Sequence, residues 1–334
     1  MTSIKSIAQD MGVSTATVSN ALSGKGRVSV ALADRIKARA AELGYQPSTA
    51  ARALKTGHSG ILGLVMPDMT NPLFPRIAQQ LSIAAEARGL GILIGDSRGS
   101  EARQTEAIKA LIGRGVDGLV VVPQKGTSPV VPTLPSVTIN TGSDPRNTVS
   151  ADHAGGGALV GAHIRELGHR QVVILGGDPV SDVQRDRVSG MIAGLGAGVR
   201  YDVVWGEHGL VRLRGLAQEG ASAVLATSDL LALAALSQLH RSGFSVPEDI
   251  SLTGFDDLPF ASFTNPPLTS TAQDMTQIAE CALAALTGQI SGQPRPETGK
   301  LVPMRLVPRG SSTTAKCLTT PTPQTPTPQQ ERLT

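Results

Sequence analysis

The chain has 334 residues, 40% of them hydrophobic and 17% charged, with a formal net charge of +3. That length supports about two or three domains and a sizeable core, and with aromatics at only 2% the core has to be filled by aliphatic side chains and alanine. No run of about 18 apolar residues offers a membrane span, the two cysteines, Cys281 and Cys317, give neither a disulfide framework nor a metal spacing, and the charged opening MTSIKSIAQD does not read as a signal peptide, so a reducing cytoplasm is the expected compartment.

The charge is unevenly spread. Residues 1–57 hold eight Lys and Arg against three acids, a net of +5, which leaves −2 for the rest of the chain. A basic head on a slightly acidic body suits contact with phosphates.

Ile4, Ile7, Ala8 and Met11 recur at helical spacing and predict a first helix. Gly12 then turns the chain, and Ser14 is placed to cap a second helix with Val18, Ala21 and Leu22 on its apolar face. Two short helices joined this way form the helix-turn-helix pattern, whose second helix enters the DNA major groove. Thr15, Ala16, Thr17, Ser19 and Asn20 are the exposed positions of that helix, short side chains sized for base edges and phosphates. An ordinary helical hairpin is the alternative these residues alone leave open. After the glycine-rich basic loop at 23–27, Ser29 caps a third helix over 30–43 that ends at Gly44. A short segment follows, YQPSTAARALKTGHSG, in which Ser48 can cap one or two turns carrying Leu54 beside Arg52 and Lys55. It is too short to stand alone as a helix in water.

From Ile61 the pattern changes to short apolar runs alternating with helical periodicity. Strands are predicted at 61–66, 91–95, 118–122, 137–139, 172–175, 223–226 and 251–254, and helices near 74–88, 101–113, 155–167, 184–195, 230–242 and 275–287. Continuous apolar strands alternating with helices imply buried parallel sheets, here an α/β core of two doubly wound lobes behind a small all-α headpiece. Ligands in such sheets bind beyond the carboxyl ends of the strands. Those loops carry Asp68, Asn71 and Phe74, then Asp96, Asn140, the QRDRVSG stretch with Arg187, the Ser228–Asp229 pair, and GFDD with Asp256. Asp, Asn and Arg with one aromatic ring suit a sugar or another polyol. Asp68 serves equally as a cap, Phe74 as packing, Arg187 as a partner of Asp186, and Asp256 as an acceptor for its own turn.

The headpiece at 4–22, the hinge GYQPSTAARALKTG and the core motifs QRDRVSG and GFDD occur in the order of the LacI/GalR family of bacterial repressors, which the chain resembles from about residue 3 to 309. The resemblance implies a headpiece at 1–46, a hinge helix and linker at 47–58, and a periplasmic-binding-protein-like core at 59–309 with crossovers near 148–151, 271–274 and 302–306. It implies that Leu54 wedges into the minor groove and kinks the operator, and that Lys5, Arg52 and Lys55 meet phosphates. It brings Asn71, Phe74, Arg187, Asp229 and Asp256 to the effector. The partners it implies are a pseudo-palindromic double-stranded DNA operator, a sugar or nucleoside-like effector and a second copy of the chain, with no membrane partner.

Three departures stand out. The stretch 124–136 leaves little room for the usual helix, 196–222 reads as one weak helix broken by Gly206, Gly209 and Gly215, and Asp274 stands where a proline is usual. No G-x-S-x-G elbow or Walker A sequence occurs, and His153, His163 and His169 lack metal-ligand spacing. The expectation is a regulator, not an enzyme, without cofactor or metal; the alternative is a cytoplasmic sugar-binding module with no DNA output. Beyond Gly310 the Thr/Pro-rich sequence predicts a disordered tail.

Overall fold

A computed structural model describes residues 3–24, 26–45, 57–129, 131 and 134–316. It divides into two compact units, Met1–Gly60 and Ile61–Thr334. Arg52, Leu54 and Lys55 lie outside the described residues, as do residues 47–56 of the hinge expected at 47–58 and the tail from 317.

The first unit is three helices: α1 (Ile4–Met11), α2 (Thr15–Ser23) and α3 (Val30–Glu42). Each start is fixed by a serine. Ser3 and Ser6 form a reciprocal capping box, and the Ser14 and Ser29 hydroxyls accept from the amides of Thr17 and Leu32. Gly12 ends α1 at φ 64°, a conformation that strains any residue with a Cβ. Ile7, Val18 and Ile36, one from each helix, are fully buried at the centre.

The second unit contains two parallel four-stranded sheets, ordered β2-β1-β3-β4 and β7-β6-β8-β9. The first sheet is built from β1 (Ile61–Met66), β2 (Gly91–Asp96), β3 (Gly118–Val121) and β4 (Ser136–Thr138). Leu62, Leu64 and Met66 pack with α4 (Leu73–Glu86), while Val65 and Leu119 pack on the other face with Ile108 and Leu111 of α5 (Glu101–Gly113). Both faces are covered, which is why β1 is apolar throughout.

The second sheet comprises β6 (Gln171–Gly176), β7 (Arg200–Trp205), β8 (Ala223–Ala226) and β9 (Ser251–Thr253). On one face lie α6 (His153–Glu166) and α7 (Asp182–Leu195); on the other lie α8 (Gly206–Gln218) and α9 (Asp229–Arg241). Between the lobes run β5 (Val149–Ala151), β10 (Ser270–Ala272), β11 (Lys300–Val302) and β12 (Arg305–Val307), paired as β5 with β11 and β10 with β12. A final helix, α10 (Met275–Ile290), returns to the first lobe and packs Leu283 and Leu286 into its core.

Two expectations from the sequence are corrected. The stretch 196–222 has lost nothing: it forms β7 and a full α8. As an edge strand, β7 leaves Arg200, Tyr201 and Asp202 exposed, so it lacks the apolar run of its neighbours. Of the three glycines, Gly209 sits against the Val204 backbone and Leu175, where a Cβ would crowd, and Gly215 faces open space. The second correction concerns 310–316, which is ordered. The Leu252 amide donates to the Ser311 carbonyl at 2.7 Å, Ser311 Oγ returns a bond to the Leu252 carbonyl at 2.6 Å, and the Ala315 amide donates to Leu167. Hydroxyls and backbone hold this strap, a bonding pattern that hydropathy cannot register. At 124–136 no helix forms among the described residues, as the short sequence there predicts. No described helix is long and apolar enough to cross a membrane.

Candidate functional site

Within the three-helix unit, α2 presents Thr15 and Ala16 exposed at its first turn, with Thr17, Ser19 and Asn20 half-buried. Thr17 shares its hydroxyl with Ser14 Oγ at 2.8 Å, so it supports the cap as well as the surface. Asn20 is braced: a Cβ on Gly26 would meet its Nδ2 at 2.8 Å. Lys5 is exposed on α1. Of the basic residues, Arg39 is already committed, its Nε donating to Asp10 Oδ2 at 2.6 Å and its Nη1 to Glu42. The Arg39 hydrogen bond holds the Asp10 carboxyl below its ordinary range.

In the second unit the carboxyl ends of the strands from both sheets face a cleft of about 520 Å³. From the first lobe it is lined by Asp68, Asn71, Phe74, Gln124, Lys125 and Asn140. The second lobe contributes His153, Gln184, Arg187, Ser228 and Asp256, and the β10–α10 crossover contributes Gln273.

At the cleft floor Arg187 Nη2 donates to Asp256 Oδ1 at 2.7 Å and Nη1 to the Thr227 carbonyl at 2.6 Å. Its guanidinium lies 4.1 Å from the centroid of Phe255, a stacked cation on a π face. Arg187 is placed by helix contact. Glycines at i and i+4 on α6 (Gly157, Gly161) and on α7 (Gly190, Gly194) let the two backbones touch: a Cβ on Gly157 would strike the Arg187 carbonyl, and one on Gly190 the Ala154 carbonyl. Asp256 sits at φ 100°, a strained backbone for a side-chain-bearing residue, and is held there by Arg187 and by Gln273 Nε2 at 2.6 Å.

His153 is buried beside the pair. Arg187 Nε donates to its Nδ1 at 3.3 Å, which requires that nitrogen to be unprotonated. Burial, and then the Arg187 charge, push the imidazole well below its ordinary pKa, so it is neutral at pH 7. Across the mouth, Lys125 Nζ meets Asp178 Oδ2 at 2.6 Å, joining the two lobes, and this bond lowers the Asp178 pKa.

Asn71, Phe74, Asn140, Arg187 and Asp256 are therefore brought together. Two others named from the sequence are not. Asp96 accepts from the Arg98 amide at 2.9 Å and shapes its own turn. Asp229 is fully buried behind the cleft, accepting from Ser270 Oγ and the Leu258 amide, each at 2.6 Å; burial first, with Asp256 adding to it, pushes its pKa up to about 7. Its neighbour Ser228 lines the cleft instead. Arg187 pairs with Asp256, not with Asp186, whose carboxylate is taken by Thr141 Oγ1. Asp68 lines the cleft and accepts from the Thr70 amide within its own turn; it caps no helix, since α4 begins after Pro72 without a side-chain cap. His153, Gln124, Gln184 and Gln273 were missed. The available signal was position, since His153 opens the helix that follows the crossover strand β5, one residue beyond it.

Profile comparison matches residues 3–48 to "Bacterial regulatory proteins, lacI family" and residues 162–312 to "Periplasmic binding protein-like domain". The HTH-type transcriptional repressor CytR of Escherichia coli (strain K12) is 29% identical over 92% of this chain and 96% of its own length. Among solved structures, a lac repressor dimer bound to operator and the anti-inducer ONPF matches with a TM-score of 0.81 at 24% identity, covering 93% of this chain and 99% of that one. A complex of the transcriptional regulator CelR with cellobiose matches with a TM-score of 0.69 at 26% identity, covering 93% and 100%.

Proposed function

We propose that the chain, whose residues 3–48 match the lacI family of bacterial regulatory proteins and whose residues 162–312 match a periplasmic-binding-protein-like domain, is a dimeric transcriptional repressor whose hold on DNA is set by a small polar metabolite bound between the core lobes. The observation that carries this reading is the union in one chain of a helix-turn-helix unit with exposed Thr15 and Ala16 and a two-lobed unit with a polar cleft. A sugar-binding module without DNA output leaves the first unit without a task.

Two headpieces of a two-fold dimer read the half-sites of a pseudo-palindrome. Thr15, Ala16 and Asn20 carry the base readout, with Asn20 able to bind adenine bidentately; Lys5, Arg52 and Lys55 contribute through phosphate. Residues 47–58 form the hinge, and Leu54 inserts at the operator centre, where unstacking costs a few kcal/mol and is offset by added contact. Such a regulator works in the cytoplasm.

In the cleft, Arg187 and Asp256 form a fixed donor and acceptor floor, Asn71 and Asn140 line the wall, and the Phe74 ring covers an apolar face of the ligand. Relatives of this chain bear on the ligand class, the CelR structure holding cellobiose. The effector acts by binding one lobe arrangement better than another, and DNA affinity shifts by the same factor.

Selection of the full-length protein against random-sequence duplex DNA, followed by gel shift, tests the reading. An enriched two-fold symmetric sequence is expected. A folded protein that enriches nothing overturns it.

A further inference from the structure

A second cavity, of about 500 Å³, opens where the first half of α4 meets the crossover strands. Arg76 comes from α4, Asp274 and Thr276 from the start of α10, and Arg305 from β12, where it stands opposite Ala272 of β10. That size suits a small metabolite rather than a lone ion.

Its charges are not balanced as those of the cleft are. In the cleft Lys125 and Arg187 each meet a carboxylate, at 2.6 and 2.7 Å. Here Arg305 is exposed and makes no hydrogen bond or ion pair among the described residues. Arg76 donates one N–H to the Asp257 carbonyl at 2.9 Å and makes no other bond to the described residues, so most of its five donors are free. The one carboxylate among the described lining residues, Asp274, accepts from the Gln277 amide at 2.9 Å as the cap of α10. The acids of the two helices are out of play: Glu280 is taken by Arg88 at 2.7 Å, and Glu86 closes the far end of α4. Two guanidinium groups therefore face one cavity with no carboxylate paired to either, and their planar forks match the oxygens of a phosphate. Beside them Gln79 and Gln80 offer amides, Thr276 Oγ1 donates to Gln80 Oε1 at 3.2 Å, and buried Met275 and Met304 add apolar surface. A bare ion would leave these groups unused.

We propose that this cavity is a second small-molecule site, separate from the cleft, and that it takes a phosphate monoester. Arg76 and Arg305 hold the phosphate, and Gln79 and Gln80 meet hydroxyls of the body that carries it. The site adjoins the cleft floor: Gln273 lines both cavities and donates to Asp256 Oδ1, while Arg76 holds the carbonyl of the next residue, Asp257. The proposal does not depend on what the cleft binds.

The test is calorimetry and thermal shift on the full-length protein at constant ionic strength, with glycerol 3-phosphate, ribose 5-phosphate and glucose 1-phosphate beside inorganic phosphate, since a compound that binds the native state raises Tm. At least one ester is expected to bind more tightly than inorganic phosphate. Arg305→Gln removes an exposed side chain without a partner among the described residues, so the free protein keeps its Tm while the ester weakens at least about tenfold. Asp274→Asn keeps the helix cap but removes the negative charge from the lining, and it tightens the ester about two- to fivefold. A nonspecific ionic effect would not change in opposite directions at these two positions. The proposal fails if no ester binds more tightly than inorganic phosphate, if Arg305→Gln binds the ester unchanged, or if Asp274→Asn does not tighten it. It also fails if Arg305→Gln lowers the oligomeric state in sedimentation without ligand, because the arginines then serve a contact between copies of the chain.

Discussion

Arg187 and Asp256 meet at 2.7 Å with their side chains 3% and 4% exposed, one from the middle of α7 and the other from the loop after β9. The pair links two elements of the second lobe, neutralises two buried charges and holds a carboxylate at an unusual backbone angle. It is both structure and floor of the cleft.

Breaking that pair from one side leaves a buried charge without a partner, which typically costs about 3–5 kcal/mol. Asp256→Asn keeps a residue that tolerates positive φ, so its loss isolates the charge effect. Asp256→Asn and Arg187→Met are each expected to lower unfolding free energy by about that amount in urea. The double variant loses less than the two single losses added, because neither charge is then stranded.

The glycine contact between α6 and α7 predicts a contrast between two chemically identical changes. Gly190→Ala drives a methyl into the Ala154 carbonyl, an overpacked backbone contact expected to cost about 1–3 kcal/mol, and it also moves Arg187. Gly215→Ala lies on α8 with nothing within 4 Å of the new methyl, and there alanine should stabilise by about 0.4–1 kcal/mol through helix propensity and a less flexible unfolded chain. Thermal unfolding of the two variants checks both signs.

The pH dependence has two opposed parts. Asp229 holds its proton up to about pH 7 in the native state, whereas an unfolded aspartate loses it near 4. The native state therefore binds more protons in that window, and this group's contribution declines as pH rises from about 4 to 7. The pKa values of His153, His163 and His169 are lowered by burial, so the unfolded state binds protons first near pH 6.5 and stability falls below it. Asp229→Asn should remove the decline toward neutral pH while leaving the acid loss. His169 also ties the C-terminal strap, its Nε2 lying 3.0 Å from the Thr313 carbonyl.

In the headpiece, Gly26 stands at φ 85° against Asn20. Gly26→Ala strains the loop and pushes the amide aside, so it should mimic Asn20→Ala: both lower affinity at one base-pair position by about 1–3 kcal/mol without changing the salt slope. Lys5→Ala should do the reverse, weakening all sequences and reducing the slope by about 1. Salt titrations on the selected site and its single-base variants distinguish the two patterns.

Residue order alone determined the three headpiece helices, because their caps and apolar spacing are local, and it determined most of the buried strands, whose continuous apolar runs record two covered faces. It did not reveal β7, because an edge strand needs only one buried contact row, nor the ordered strap at 310–316, which is held by hydroxyls that hydropathy scores as solvent-loving. Asp96 and Asp229 look alike in the sequence, yet Asp96 turns to the Arg98 amide two residues on, while Ser270 and Leu258, far along the chain, draw Asp229 inward. The pairing of Arg187 with Asp256 and the neutral state of His153 were decided by tertiary packing, since each depends on groups 34 or more positions away that only the folded chain brings within bonding distance.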